Sequence, residues 1–325
     1  MVKQIDLDLE VDIKKVNVFA RHETFHPRFG WIKKGFDRAV EDPAVFLSED
    51  APVRLGVGKN MVRSIRYWCT AFKVLNEIDG IAPTDLGAML LGDDGWDPFL
   101  EDTASLWLLH WNLLALPCYA TAWDFAFNQF RQTEFSAEDL FIALSDYLNR
   151  QSVRVAESSL RKDITCILRM YVEQEGKGGF NEDLVDCPFT DLRLIYAFGD
   201  SKQYEFQVGS KENLPAEIIV YACLDFASRV TKKQRTIGLS RLTFDPGSPG
   251  LIFKLSESAI AEAIEHVAHQ SDLALSDTAG LLQLSYQNSP EDLALEILSG
   301  YYQNRQKTTK PEVAKSGRST GKRAL

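Results

Sequence analysis

Several things are scarce in this 325-residue sequence, and each scarcity excludes something. The five cysteines, Cys69, Cys118, Cys166, Cys187 and Cys223, are widely scattered, odd in number and form no C-x-x-C pair. A zinc ribbon or disulfide framework is therefore not expected. Buried free thiols in a reducing compartment are. No apolar run approaches the ~20 residues of a membrane span. The opening residues Met1 to Asp6 carry no apolar signal core, so a cytoplasmic location with no membrane partner is expected. Neither a G-x-x-x-x-G-K-[ST] loop nor a G-x-G-x-x-G turn occurs, so no nucleotide or organic cofactor is expected. Positive charge is also short: 36 Lys and Arg against 46 Asp and Glu leave a net charge of −10. Such a chain is not built to coat polyanions, and any contact with phosphate has to come from local clusters.

What is present reads as a soluble globular chain, mainly α with small β-hairpins (α+β) and long enough for several domains. Residues 1–135 form a winged-helix or helix-turn-helix-like unit, opened by an alternating arm over 1–16. Residues 136–213 form a helical unit with a β-hairpin. It starts at the capping box Ser136-Ala137-Glu138-Asp139 and contains strand-like runs at Leu192 to Phe198 and Tyr204 to Val208. Residues 214–304 form a second winged-helix-like unit, with a strand expected at Leu251 to Leu255 and a last helix through Tyr302. Residues 305–325 are basic and nearly free of apolar side chains, so a disordered tail is expected.

One stretch stands out within the first unit. On a helix at 100° per residue, Val57, Met61, Ile65, Trp68 and Phe72 share one face, while Lys59, Arg63, Arg66, Thr70 and Lys73 share the other. No acid falls between Lys59 and Lys73, and the Gly-bearing turn Leu55-Gly56-Val57-Gly58 precedes the helix. An apolar back, a basic front and a Gly turn at the entrance describe a recognition helix, with Lys59, Asn60, Arg63 and Arg66 set to meet duplex DNA. The bland reading is a solvated surface face. A second basic cluster, Lys232, Lys233 and Arg235, could serve the same partner or be a solvated loop.

Chemistry-bearing letters are sparse. His22-Glu23-Thr24-Phe25-His26 spells H-E-x-x-H, which binds zinc when both histidines lie a turn apart in mid-helix. Pro27 directly after His26 disfavours that helix. His22, Glu23 and His26 therefore remain catalytic candidates only in a general sense, and Arg21 and Arg28 beside them are candidate phosphate contacts. Glu101 and Asp102 could hold Mg²⁺ or Mn²⁺, though acids before a helix more often favour its N-terminus. Two acid-x-Lys triples, Glu175-Gly176-Lys177 and Asp200-Ser201-Lys202, with Asp186 or Asp191 upstream, are weak nuclease signals.

Four segments in order, F-A-R-H-E-T-F-H-P-R-F-G-W (19–31), L-G-V-G-K-N-M-V-R-S-I-R-Y-W (55–68), P-T-D-L-G (83–87) and D-P-F-L-E-D-T-A-S-L-W-L-L-H-W (97–111), resemble an uncharacterised-domain family. Its members are encoded in bacterial DNA phosphorothioation defence clusters. The resemblance implies an anti-phage protein that binds double-stranded DNA and nicks one strand. It would act beside a cysteine desulfurase, an ATPase and an ATP-pyrophosphatase-like sulfurtransferase. It carries over no catalytic residues. A non-catalytic recognition or specificity subunit, or a transcriptional regulator, is the rival expectation.

Overall fold

The computed structural model describes residues 17–77, 81–173, 187–231, 234–269, 271–278 and 280–309. The expected arm over 1–16, the Glu175-x-Lys177 triple, Asp186, Lys232, Lys233 and the chain beyond 309 lie outside those residues. The architecture is mainly α with small antiparallel sheets, as expected.

In the first part, α1 (Trp31–Glu41) packs against α3 (Lys59–Ala71), with α2 (Ala51–Leu55) leading into α3 through Gly56. Gly35 permits the α1–α3 approach, because a Cβ there would lie 2.6 Å from Cys69 Sγ and from Ile65 Cγ2. A two-residue hairpin follows, β1 (Leu75–Asn76) with β2 (Ala82–Pro83), then α4 (Asp85–Leu91), capped by Thr84. Next comes α5 (Thr103–Leu114), buried on every side from Ala104 to Leu114, and then α6 (Thr121–Asp124). A helix apolar all round has no solvent face and needs neighbours on all sides.

The rest of the chain supplies them through two similar layouts. In the first, β3 (Glu134–Ser136) leads into α7 (Ala137–Arg150) and α8 (Glu157–Tyr171), followed by the hairpin β4 (Ile195–Ala197) and β5 (Gln203–Phe206). The sheet order is β3-β5-β4. In the second, α9 (Ala216–Val230) precedes β6 (Thr236–Gly238), α10 (Leu239–Phe244), α11 (Pro249–Ile252) and α12 (Glu257–Ala268). The hairpin β7 (Leu273–Thr278) and β8 (Leu281–Tyr286) follows, in the order β6-β8-β7, and α13 (Pro290–Thr309) lies along α9. The capping box forms as read: Asp139 N–H donates to Ser136 Oγ and Ser136 N–H to Asp139 Oδ2.

Two expectations are corrected. Leu251 to Leu255 is not a strand. Ser248 Oγ accepts from Leu251 N–H, Pro249 occupies the first turn, and the run begins inside α11, which ends at Ile252. Gly250 lets that turn sit on α10, since a Cβ would fall 2.3 Å from the Thr243 carbonyl oxygen. The last helix does not stop at Tyr302 but runs to Thr309. Arg305 Nε donates to Asp102 Oδ2 at 2.8 Å, and Tyr301 Oη donates to the same carboxylate, which also caps α5 at Ala104 N–H. None of the five cysteines is in a disulfide; Cys69, Cys166, Cys187 and Cys223 are buried, as expected, and Cys118 is half-buried.

The three parts meet at His110 of α5, which is fully buried. Its Nε2 lies 3.0 Å from the Ile252 carbonyl oxygen, which only accepts, so Nε2 carries the hydrogen. Its Nδ1 is then the acceptor for Tyr171 Oη at 2.8 Å. Nearby, buried Lys254 donates to the Phe127 carbonyl at 2.9 Å, with its ammonium 4.3 Å from the centre of the Phe206 ring. Burial lowers the Lys254 pKa to about 7, helped by the positive charges of Arg131 and Lys211. Lys211, donating to the Gln207 and Gly209 carbonyls, is lowered to about 8 by burial.

Burial, opposed by the Ile252 hydrogen bond and aided by Lys254, holds His110 at a pKa of about 4 against an ordinary 6.5. The folded pKa is depressed, so the unfolded chain binds more protons between those values and stability rises with pH there. Unfolding free energy from denaturant titrations is expected to fall by about 3 kcal/mol from this residue as pH drops through that window. A His110→Gln variant should lose that part of the slope. Asp102→Ala, which removes a cap and the anchor of α13, is expected to cost about 2 kcal/mol and to speed amide exchange in the last turns of α13.

Candidate nucleic-acid interface

The stripe on α3 forms only in part. Its apolar back is in place, with Val62, Ile65, Trp68, Cys69 and Ala71 buried and Val57 and Met61 packed against the core. Lys59, Asn60 and Arg63 face solvent. Arg63 Nη1 lies 3.5 Å from Glu23 Oε1, a loose pairing with the arginine side chain 55% exposed. Arg66 is held differently: its Nε and Nη2 donate to both carboxylate oxygens of Glu77, at 3.0 and 3.3 Å, and Thr70 Oγ1 donates to the same acid. No acid lies within the helix, but one returns from the chain just after it.

Lys73 leaves the stripe altogether. The residue follows the end of α3 with φ 58°, and its ammonium donates to the carbonyls of Asn112 and Ala115. Burial lowers its pKa to about 8. The solvent-facing cations are thus Lys59 and Arg63 at the N-terminal end of α3, with the neutral amide of Asn60 between them and Arg66 partly neutralised behind.

The Arg21–Arg28 segment lies beside this helix as a turn. Ala20, Glu23 and Thr24 all have positive φ, so the two histidines do not sit on one helix face and the zinc-peptidase geometry is absent. His22 points inward and is fully buried. Its Nε2 donates to Asp163 Oδ1 on α8 at 2.7 Å, and Ala20 N–H reaches the same oxygen at 2.8 Å. Trp68, Tyr67 and Trp123 wall the imidazole, with ring centres 6.2, 6.3 and 5.7 Å away. This arrangement staples the N-terminal segment to α8 and brings His22 to no open surface. His26 is also buried. Arg28 stacks over Phe25 and Trp31, at 5.6 and 5.3 Å, which covers its guanidinium. Arg21 is exposed and Glu23 half-buried.

Glu101 and Asp102 do not form a cage. Glu101 is exposed, whereas Asp102 spends its carboxylate on Ala104 N–H, Tyr301 and Arg305. Buried Asp97 is occupied by the Glu101 and Asp102 amides and the Ser105 hydroxyl. The pair does not fit a hydrated divalent ion, and no group of three His, Cys, Asp or Glu side chains converges among the described residues. In the C-terminal cluster, Arg235 clamps the backbone after β8 through the Gln287 and Asn288 carbonyls, and Arg241 pairs with Asp245 at 2.8 Å. Both arginines brace the chain.

Sequence reading missed Asp163, the partner of His22. The signal was there in a weak form, a lone acid in the apolar register of α8, but nothing local shows which residue it meets.

Two solved structures are similar along nearly the whole chain. The one described as "Magnesium ion-bound SspB crystal structure" matches with a TM-score of 0.84 and 40% identity, over 91% of this chain and 90% of that chain. The one described as "SspB crystal structure" matches with a TM-score of 0.83 and 40% identity, over 91% of each. No curated protein matches. The family described as "Protein of unknown function (DUF4007)" matches residues 19–302. The chain belongs to that family, and its relationship to SspB runs through the fold as well as the sequence.

Proposed function

We propose that this protein is the DNA-engaging component of a bacterial DNA phosphorothioation system, and that it nicks one strand of duplex DNA so that the backbone can be modified. The observation that carries the DNA contact is the exposed end of α3, where Lys59, Asn60 and Arg63 face solvent over a buried aromatic and aliphatic back. Gly58 offers no side-chain cap, so the amide hydrogens of the first turn are free to meet a phosphate beside Lys59. Asn60 has the donor–acceptor pair that matches adenine, and Arg63 the fork that matches guanine or phosphate. Arg21 lies on the adjoining segment and extends the same surface. Kinship to SspB and the phosphorothioation setting of the resemblance support the wider role, with a cysteine desulfurase, an ATPase and a sulfurtransferase as partners.

A relative described as magnesium-bound favours divalent-metal chemistry for the nick. No ligand set is assigned to this chain, because Glu101 and Asp102 do not fit the ion. One observation favours the rival reading, a recognition subunit without cleavage: His22 is turned into the core and paired with Asp163.

Lys59→Ala with Arg63→Ala is expected to weaken duplex binding about tenfold or more and to lower the slope of log affinity against log salt by about 2. Unchanged gel shifts would remove α3 from the interface. Highly purified protein is expected to nick supercoiled plasmid with Mg²⁺ or Mn²⁺ and to stop in EDTA. Binding without any nick would establish the recognition-subunit reading instead.

A further inference from the structure

The segment from Glu134 to Phe206 repeats, in its order of elements, the segment from Thr236 to Tyr286. Each runs strand, helices, hairpin, and in each the first strand pairs with the last rather than with its sequence neighbour, giving β3-β5-β4 and β6-β8-β7. The helix just before each hairpin occupies the position of a recognition helix, and the hairpin occupies that of a wing. Topology alone does not make either a DNA reader, and the side chains separate the two.

On α12 the exposed face carries Glu257, Glu262 and Glu265. Such a face repels phosphate. On α8, Ser158, Arg161, Lys162, Thr165 and Arg169 are all exposed, and their spacing of three and four places them on one stripe. The opposite side is closed by Leu160, Ile164, Ile167, Met170 and Tyr171. Arg161 is occupied by Glu138 and Glu157, at 2.8 and 2.9 Å, and lies 3.9 Å over the Phe141 ring. Lys162 and Arg169 make no ion pair with a described residue.

The hairpin after α8 is unusual for a solvated turn. Tyr196 and Phe198 are 44% and 47% exposed, Tyr196 within β4 and Phe198 directly after it. Lys202, in the turn with φ 55°, is exposed beside them. Exposed aromatics next to a cation suit a sugar and base surface better than bulk water. This surface is also tied to the first one. Asp163, next to Lys162 on α8, receives both His22 Nε2–H and Ala20 N–H, so the segment carrying Arg21 and Glu23 is fastened to α8 on one side and meets Arg63 on the other.

We infer that α8 and the β4–β5 hairpin form a second duplex-DNA surface, with Lys162 and Arg169 on the phosphate backbone and Tyr196 and Phe198 against the neighbouring groove. This rests on the DNA-binding reading given above and adds a second contact site to it.

The test uses the full chain and a labelled duplex, followed by fluorescence anisotropy at several salt concentrations. Lys162→Ala with Arg169→Ala is expected to raise Kd about tenfold and to lower the salt slope by about 2. Tyr196→Ala with Phe198→Ala is expected to raise Kd several-fold and leave the slope unchanged. Lys162→Arg should retain affinity. Unaltered circular dichroism and unfolding midpoints separate these effects from misfolding, and all four positions are exposed. If the wild type binds no duplex, the general reading and this one fall together. If the wild type binds and the α3 variant loses binding while the α8 and hairpin variants do not, this inference alone is overturned. It is equally overturned if the variants weaken binding only to a single-stranded oligonucleotide.

Discussion

The Nε2–H of His110 has no water to turn to, and the rest of the molecule is arranged around that constraint. A buried donor without an acceptor is costly, on the order of the full desolvation of the group. The acceptor here is the backbone of α11, and the remaining ring nitrogen is satisfied by a tyrosine from α8. One imidazole therefore specifies how three stretches of chain, each more than 50 residues from the others, come together on α5. Aliphatic packing would allow many registers in such a contact, whereas two directional bonds allow few.

The same logic recurs at lower stakes. Asp163 joins the N-terminal segment to α8, and Asp102 joins α5 to α13. In each case one carboxylate accepts from a segment far from it in sequence. The result is a scaffold in which the exposed basic positions of α3 and α8 are carried on helices whose backs are fixed. Phosphate contacts read position best when the side chains that make them have a rigid base.

Periodicity disclosed the elements well and their partners poorly. The apolar back of α3, the Ser136 capping box and the β4–β5 hairpin follow from local patterns and form where the patterns place them, while the basic face of α3 forms only at its N-terminal end. Leu251 to Leu255 did not follow, because a short apolar run reads equally as strand or buried helix. The start signal Ser248-Pro249 was the better guide. The extent of α13 was hidden in the pairing of Arg305 with an acid 203 residues away. The basic face of α3 looked one-signed because Glu77 lies beyond the helix and folds back onto Arg66. His22 shows the limit most clearly: its letters suggest chemistry, while its partner, 141 residues on, makes it a fastener. The α8 stripe has the same three-and-four spacing that marked α3. The mixed acids around it in sequence obscured it, and only the exposure of each side chain separates them.

The interior amines bear on the field that the molecule presents to a distant polyanion. A formal charge of −10 counts every lysine as a cation. Lys254, Lys73 and Lys211, held near 7, 8 and 8 by their surroundings, give up protons in mildly alkaline solution long before surface lysines do. The molecule therefore becomes more negative over a pH range in which its exposed arginines and lysines are unchanged. For the proposed DNA partner, long-range repulsion would grow over that range while the charge of the exposed α3 positions stays the same. Under that proposal, pH would act on the encounter from inside the fold, at lysines set back from the exposed α3 positions.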